Sequence, residues 1–184
     1  DRRPRYDRAA MQLGRYTVEG EVGRGGAGVV VRARAPDGAI VAIKVLLKAD
    51  RAASVERFTR ERQLHEQLAK SGGFVPLLEA GACPQGPYLV MPFLLGGTLR
   101  DRLGVDEPWP VEEVIRLGKS LAQAMGRAHE AGVVHRDLKP ENVIFDERGR
   151  PYIADLGLAK HLEAAGGVRG ITQTGTIAGT VGYA

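Results

Sequence analysis

The chain of 184 residues has one cysteine, Cys83, so no internal disulfide can form and a reducing cytoplasm is the expected setting. It has no long apolar run. The longest, Tyr88 to Leu95, falls far short of the ~20 residues that a membrane-crossing helix needs, and Pro92 interrupts it. It has no signal-peptide pattern; its start carries Arg2, Arg3, Arg5 and Arg8 with little apolar content. A disordered leader over residues 1–13 is expected there rather than a membrane or nucleic-acid arm. Strong charge imbalance is missing too: the formal charge is +4 and the basic residues are scattered, which gives no argument for a nucleic-acid partner. The chain starts without Met and stops at Val181-Gly182-Tyr183-Ala184 with no closing helix, so a fragment is expected.

What is present is an ordinary globular composition, 43% hydrophobic and 26% charged, long enough for one large domain or two small lobes. The most informative stretch is His135-Arg136-Asp137-Leu138-Lys139-Pro140-Glu141-Asn142, followed by Val143-Ile144-Phe145. A loop dense in charge and carrying a proline cannot be a buried helix or a central strand. Ala131-Gly132-Val133-Val134 before it and the apolar triplet behind it pin it at both ends, so Asp137, Lys139 and Asn142 can converge on one small volume.

Strand-forming residues from Tyr16 to Ala35 are interrupted by Gly23-Arg24-Gly25-Gly26-Ala27-Gly28. Such glycine density lets backbone N–H groups cradle phosphate oxygens. A dinucleotide-binding turn would open a helix after the glycines, whereas Val29 to Ala35 is a β-branched second strand. Ala39 to Leu47 is a third strand, and Lys44 within it is costly to bury unless paired. Val55, Phe58, Leu64 and Leu68 mark an amphipathic helix with Glu61 at its middle. Phe74 to Ala80 and Pro87 to Phe93 are two further expected strands, joined at Cys83-Pro84-Gln85-Gly86. Pro110 to Ala131 is the clearest helix, with Glu112 and Glu113 at its start and Gly132 past its end. Its stripe of Val111, Val114, Gly118, Leu121, Ala122, Met125 and His129 is expected to be buried scaffold. Tyr152-Ile153-Ala154 is a strand ending on Asp155-Leu156-Gly157, and Leu158 to Ala184 is an aperiodic Gly- and Thr-rich loop.

In order, Gly23-x-Gly25-x-x-Gly28-x-Val30, Val41-Ala42-Ile43-Lys44, the stretch from His135 to Asn142, Asp155-Leu156-Gly157 and Gly179-Thr180-x-x-Tyr183-Ala184 resemble the motifs of eukaryotic-like (Hanks-type) serine/threonine protein kinases, bacterial type, over residues 14–184. The resemblance implies an α+β, two-lobe kinase fold: an antiparallel sheet plus one helix over 14–93, a hinge at 94–97, and over 98–184 the first part of a mostly helical lobe ending in the activation segment, here incomplete. It implies an ATP-dependent enzyme that transfers the γ-phosphate to Ser/Thr hydroxyls of proteins, with Mg²⁺ as cofactor, and that autophosphorylates its activation loop, with dimerisation as one route.

By the same resemblance the nucleotide is bordered by Val22, Gly23, Arg24, Gly25, Gly26, Ala27, Gly28, Val30, Ala42 and Ile144. Lys44 contacts the α- and β-phosphates and Glu61 holds it there. Met91 guards the space behind adenine, while the stretch Pro92, Phe93, Leu94 offers a backbone carbonyl at Pro92 and an N–H at Leu94. Asp137 accepts the substrate proton, Lys139 neutralises the migrating phosphoryl group, and Asn142 and Asp155 are oxygen ligands for Mg²⁺. Thr172 and Thr174 resemble a double phosphosite for which Arg136 is a docking cation, with Thr176 nearby, and Thr180 orders the substrate platform. Three positions depart from the family pattern: His65 stands where an apolar residue is usual, Pro92 where an acid is common, and Leu156 replaces a phenylalanine. Two rival readings stay open, a pseudokinase that signals by shape and a kinase of small molecules.

Overall fold

The computed structural model describes residues 11–25, 28–46, 51–68, 72–103, 108–156 and 160–161; for residues 51–57 and 160–161 the backbone alone is described. The chain divides into two units, Asp1–Arg62 with Pro76–Phe93, and Gln63–Val75 with Leu94–Ala184.

In the first unit, alternating valines and glycine-marked turns build strands β1 (Gln12–Leu13), β2 (Tyr16–Gly25), β3 (Gly28–Arg34) and β4 (Ile40–Val45). Helix α1 (Arg51–Leu68) follows, then β5 (Glu79–Cys83) and β6 (Gly86–Pro92). All six strands form one antiparallel sheet in the order β1-β2-β3-β4-β6-β5. The period-two pattern separates the faces: Val29, Val31 and Ala33 of β3 and Val41, Ile43 and Val45 of β4 are buried in one apolar cluster. Leu13 belongs to that cluster, so Gln12 and Leu13, expected within a leader over 1–13, belong to the sheet. Gln12 and Leu13 pair with Thr17 and Tyr16, because burying Leu13 and completing a ladder favour order there. Residues 1–10 lie outside the described residues.

The sheet is strongly curled. The Tyr16 hydroxyl at the start of β2 donates to Glu79 Oε2 of β5 at 2.7 Å, and Arg15 reaches the same oxygen at 2.6 Å. In a flat sheet the four strand steps from β2 to β5 would separate them by about 19 Å, so the faces must wrap around the apolar cluster.

The strand expected over Phe74 to Ala80 is displaced. Only Phe74 makes a bridge, to Ile153, and the ladder with β6 starts at Glu79. Apolar content at 74–78 comes instead from burial: Phe74 and Val75 sit at 5% and 3% exposure, and the Val75 N–H donates to the Ile153 carbonyl.

The second unit contains α2 (Leu99–Leu103), α3 (Val111–Glu130), β7 (Val133–Val134), a 3₁₀ turn (Pro140–Asn142), β8 (Val143–Phe145), β9 (Pro151–Ile153) and β10 (Lys160–His161). β8 and β9 form an antiparallel pair, as do β7 and β10. Helix α3 starts after Pro110 with Glu112 and Glu113 in its first turn and closes where Gly132, at φ 74, donates to the His129 carbonyl. Its buried residues are Ala124 and Ala128, packed with Leu64, Leu68, Phe74 and Ile153 and flanked by Leu121 and Met125. None of the stripe expected to be buried is fully so: Leu121 and Met125 are half-buried, Gly118 and Ala122 are exposed, and the buried contact falls instead on Ala124 and Ala128. Val111, Val114 and Ile115 are 67%, 52% and 50% exposed, and His129 is exposed as well. Alanines one turn apart let neighbouring elements approach closely, and the bulkier residues fall outside that contact.

This division of α3 predicts opposite outcomes for two substitutions. Ala128→Leu should destabilise the chain by roughly 1–3 kcal/mol through overpacking. Ile115→Gln should change stability by no more than about 0.5 kcal/mol, as expected of an exposed site. Urea unfolding midpoints of the two variants check both.

Candidate functional site

Strand register gathers the first group of candidate residues. Directly paired residues share a face of a sheet, and Val30 pairs with Lys44, while Ala42 pairs with Met91. By alternation Val30, Ala42, Lys44 and Met91 lie on the face opposite the buried valines. Gly23 pairs with Val30, Arg24 with Val29 and Gly25 with Gly28, so the glycine stretch is the tip of the β2–β3 hairpin. Gly26 and Ala27 lie outside the described residues. Val22 is the extra residue of a bulge between the pairs Glu21–Val31 and Gly23–Val30, and it is 55% exposed. Gly28, at φ 154, could not be replaced without strain: a Cβ there would stand 2.2 Å from the Val45 carbonyl oxygen. At the end of β6 the Phe93 N–H donates to the Ile40 carbonyl. The Leu94 N–H has no acceptor among the described residues.

Lys44 is buried, as the sequence made costly, and is compensated. Its Nζ donates to Glu61 Oε1 of α1 at 2.6 Å, with the two side chains 7% and 3% exposed. Glu61, Leu64, His65 and Leu68 recur at helical spacing and are all buried, so the inward stripe of α1 is half polar. His65 is accommodated inside, its Nδ1–H donating to the Val75 carbonyl at 3.2 Å.

In the second unit the loop after β7 brings Asp137, Lys139 and Asn142 together. Lys139 Nζ lies 3.0 Å from Asp137 Oδ2. Asn142 Nδ2 donates to the Asp137 backbone carbonyl at 2.8 Å and to its Oδ2 at 3.3 Å. Because both amide protons point at acceptors, the orientation of Asn142 is fixed and its Oδ1 is the atom left to meet a cation. Pro140 opens the 3₁₀ turn that delivers Asn142, buried at 7%.

Ala154 joins this loop to Asp155. Its N–H donates to the Asn142 carbonyl at 2.8 Å, and its carbonyl accepts from His135 Nε2 at 3.0 Å. The Asp137 N–H donates to His135 Nδ1 at 3.2 Å, which fixes the neutral tautomer with its proton on Nε2. His135 is thus a functional scaffold that sequence reasoning quoted without a role; a histidine beside a charged loop carries no signal of which backbone it grips. Arg136 and Asp155 are the two non-glycine residues among those described with positive φ, 67 and 59. Such strain, held by surrounding bonds, is concentrated at working sites. Leu156 is 1% exposed in the cluster of Leu64, Leu68 and Phe74, so its replacement of phenylalanine is a packing change. Ile144 is half-buried on β8. Gly157, Thr172, Thr174, Thr176 and Thr180 lie outside the described residues.

Two outcomes follow from these contacts. Lys44→Met leaves buried Glu61 without this counter-charge and should cost about 3–5 kcal/mol, whereas Lys44→Met with Glu61→Leu should recover most of it. Chemical denaturation of the three proteins decides. Burial holds the His135 imidazole below its ordinary 6.5, against the Ala154 carbonyl and the carboxylates of Asp155 and Asp137, with Lys139 adding to the lowering. The unfolded chain then binds that proton more readily, so this contribution is complete above 6.5 and is lost as pH falls below it. Urea midpoints measured from pH 8 to 5 should fall, and His135→Asn should show a shallower fall than the parent.

The sequence matches the protein kinase domain family over residues 16–184. It is 35% identical over 182 residues to the serine/threonine-protein kinase PknK of Mycobacterium tuberculosis, covering 98% of this chain and 16% of that protein. It is 35% identical over 183 residues to PknL of the same organism, covering 95% and 43%. With the DNA damage-responsive serine/threonine-protein kinase RqkA of Deinococcus radiodurans it shares 36% identity over 180 residues, covering 94% and 26%. The chain spans less than half the length of each of these relatives. With a match across nearly its whole length and its motifs in family order, the chain belongs to the protein kinase domain family.

Proposed function

We propose that the chain is the ATP-binding and catalytic part of a cytoplasmic serine/threonine protein kinase that acts on Ser/Thr hydroxyls of proteins. The observation that carries this reading is the Asp137–Lys139–Asn142 arrangement, a carboxylate held by an amide with an ammonium 3.0 Å away. Phosphoryl transfer asks the protein mainly for positioning and charge neutralisation, and this loop supplies both. Asp137 accepts the proton of the attacking hydroxyl; a bond forms from that oxygen to the γ-phosphorus, the bond to the β-phosphate oxygen breaks, and ADP leaves. Lys139 neutralises the phosphoryl group in passage. Lys44, fixed by Glu61, holds the α- and β-phosphates. Leu94 donates its N–H to adenine, and Pro92 offers its carbonyl.

The donor set fits Mg²⁺. Asn142 Oδ1 and the Asp155 carboxylate are hard oxygen donors that would hold such a cation. When bound, Mg²⁺ neutralises phosphate charge. Among the described residues there is no cluster of three or more His, Cys, Asp or Glu able to hold a metal ion by itself, which accords with a cation shared with its nucleotide. The choice of a protein Ser/Thr acceptor is supported by the names of the relatives and by Lys139 two residues after Asp137. Autophosphorylation at Thr172 and Thr174, with Arg136 as the docking cation, belongs to the same proposal.

Intact mass before and after incubation with Mg-ATP, beside an Asp137→Asn control, tests it. Phosphate-sized increments should appear in the parent, and the rate in the control should fall by about 10²–10⁴. An unmodified parent that also leaves protein substrates untouched would favour a pseudokinase, and transfer to small molecules alone would favour the other rival.

A further inference from the structure

We infer that Arg102 is a positioning residue for the nucleotide: it locks the segment Leu94–Gly97 onto strand β8, so that Leu94 and Ile144 keep a single register. The inference rests on the nucleotide reading above, in which Leu94 meets adenine and Ile144 borders the nucleotide, and adds a group that resemblance to kinases did not single out.

The backbone of the segment runs against β8. The Gly96 N–H donates to the Phe145 carbonyl and the Phe145 N–H donates to the Gly97 carbonyl, both at 2.9 Å. Thr98 bridges to Ile144 itself. The approach is so close that a Cβ on Gly96 would stand 2.4 Å from the Asp146 carbonyl oxygen. Two or three backbone bonds outside a regular sheet are a weak tie when solvent can compete for them. Arg102 reinforces it from the side. Its guanidinium carbon lies 3.6 Å from the centroid of the Phe145 ring, while Nη2 donates to the Gly96 carbonyl at 3.0 Å. One planar group thus covers the buried aromatic of β8 and holds the carbonyl of the opposing segment.

The local sequence is built to aim that group. Thr98 and Asp101 cap α2 reciprocally: the Thr98 N–H donates to Asp101 Oδ2 at 2.9 Å, and the Asp101 N–H donates to Thr98 Oγ1 at 3.1 Å. The indole Nε1 of Trp109 donates to the Arg102 carbonyl at 3.4 Å. A lysine could carry the charge but could not stack and donate within one plane.

ATP and GTP kinetics with calorimetric ADP affinity test the assignment on parent, Arg102→Ala, Arg102→Lys, Arg102→Gln, Phe145→Leu and the Arg102→Ala, Phe145→Leu double variant. Loss of the clamp should raise the KM for ATP about tenfold in Arg102→Ala, with kcat changing much less, and should narrow the preference for ATP over GTP. Arg102→Lys and Arg102→Gln should recover part of the affinity, and Arg102→Ala combined with Phe145→Leu should weaken ATP little more than either alone. A lowered unfolding midpoint with unchanged KM for ATP would make Arg102 merely structural and overturn the inference, as would strictly additive losses. A parent that binds neither ATP nor ADP would instead overturn the nucleotide reading, and this inference with it.

Discussion

The chemistry of the second unit hangs on one residue without a functional side chain. Ala154 has its N–H committed to the Asn142 carbonyl and its own carbonyl committed to His135. The residue immediately after it, Asp155, is therefore delivered at a fixed place beside Asn142, in a left-handed backbone conformation that costs on the order of 1–2 kcal/mol and survives only where its surroundings enforce it. The same histidine accepts from the Asp137 N–H. One imidazole, kept neutral by burial, thus aligns the backbone of Asp137 and of Ala154, the residue before Asp155, at once. Moving any of the three would disturb the other two.

The first unit solves a related problem with charge. Burying an ammonium and a carboxylate together rarely adds stability over apolar residues of similar size, because desolvation offsets most of the attraction. The Lys44–Glu61 pair is held on the sheet face opposite the apolar cluster, next to the glycine hairpin. Its placement is poorly explained by what it does for folding, and under the proposed function a fixed ammonium there would serve phosphate. The same holds for α1, whose buried stripe of Glu61, Leu64, His65 and Leu68 satisfies its polar members one by one instead of excluding them.

Much of this was legible in the sequence because the chemistry is written in short, contiguous stretches. The loop from His135 to Asn142, the glycine hairpin, and the need of Lys44 for a partner could all be read from residue type and spacing. Helix α3 was legible because Pro110, the early glutamates and Gly132 mark both ends. Less legible was anything set by packing partners distant in the chain. The inward face of α1 hides two polar residues, so hydrophobic periodicity understated it. Phe74 and Val75 look like strand residues because they are apolar, yet they are buried against β9 without joining the large sheet. The outward position of Val111, Val114 and Ile115 follows from which turn of α3 meets its neighbours, and the helical spacing alone could not say which. Positive φ at Arg136 and Asp155 left no mark in the sequence, since neither is a residue type that favours it strongly enough to be noticed.

The contact of Tyr16 and Arg15 with Glu79 has a bearing on how the protein behaves among other proteins. A six-stranded open sheet has two outer strands whose unpaired N–H and C=O groups invite a foreign strand to add on. Here the curl carries the beginning of β2 to the beginning of β5, and the polar side chains at that seam are already engaged with one another. An incoming strand would have to displace that tyrosine–glutamate–arginine cluster before it could dock at either margin near the seam. The short β1, two residues long, offers little template on its side. The curl that wraps the valine cluster therefore also guards against edge-to-edge aggregation, with no need for a proline or a row of lysines along the outer strands.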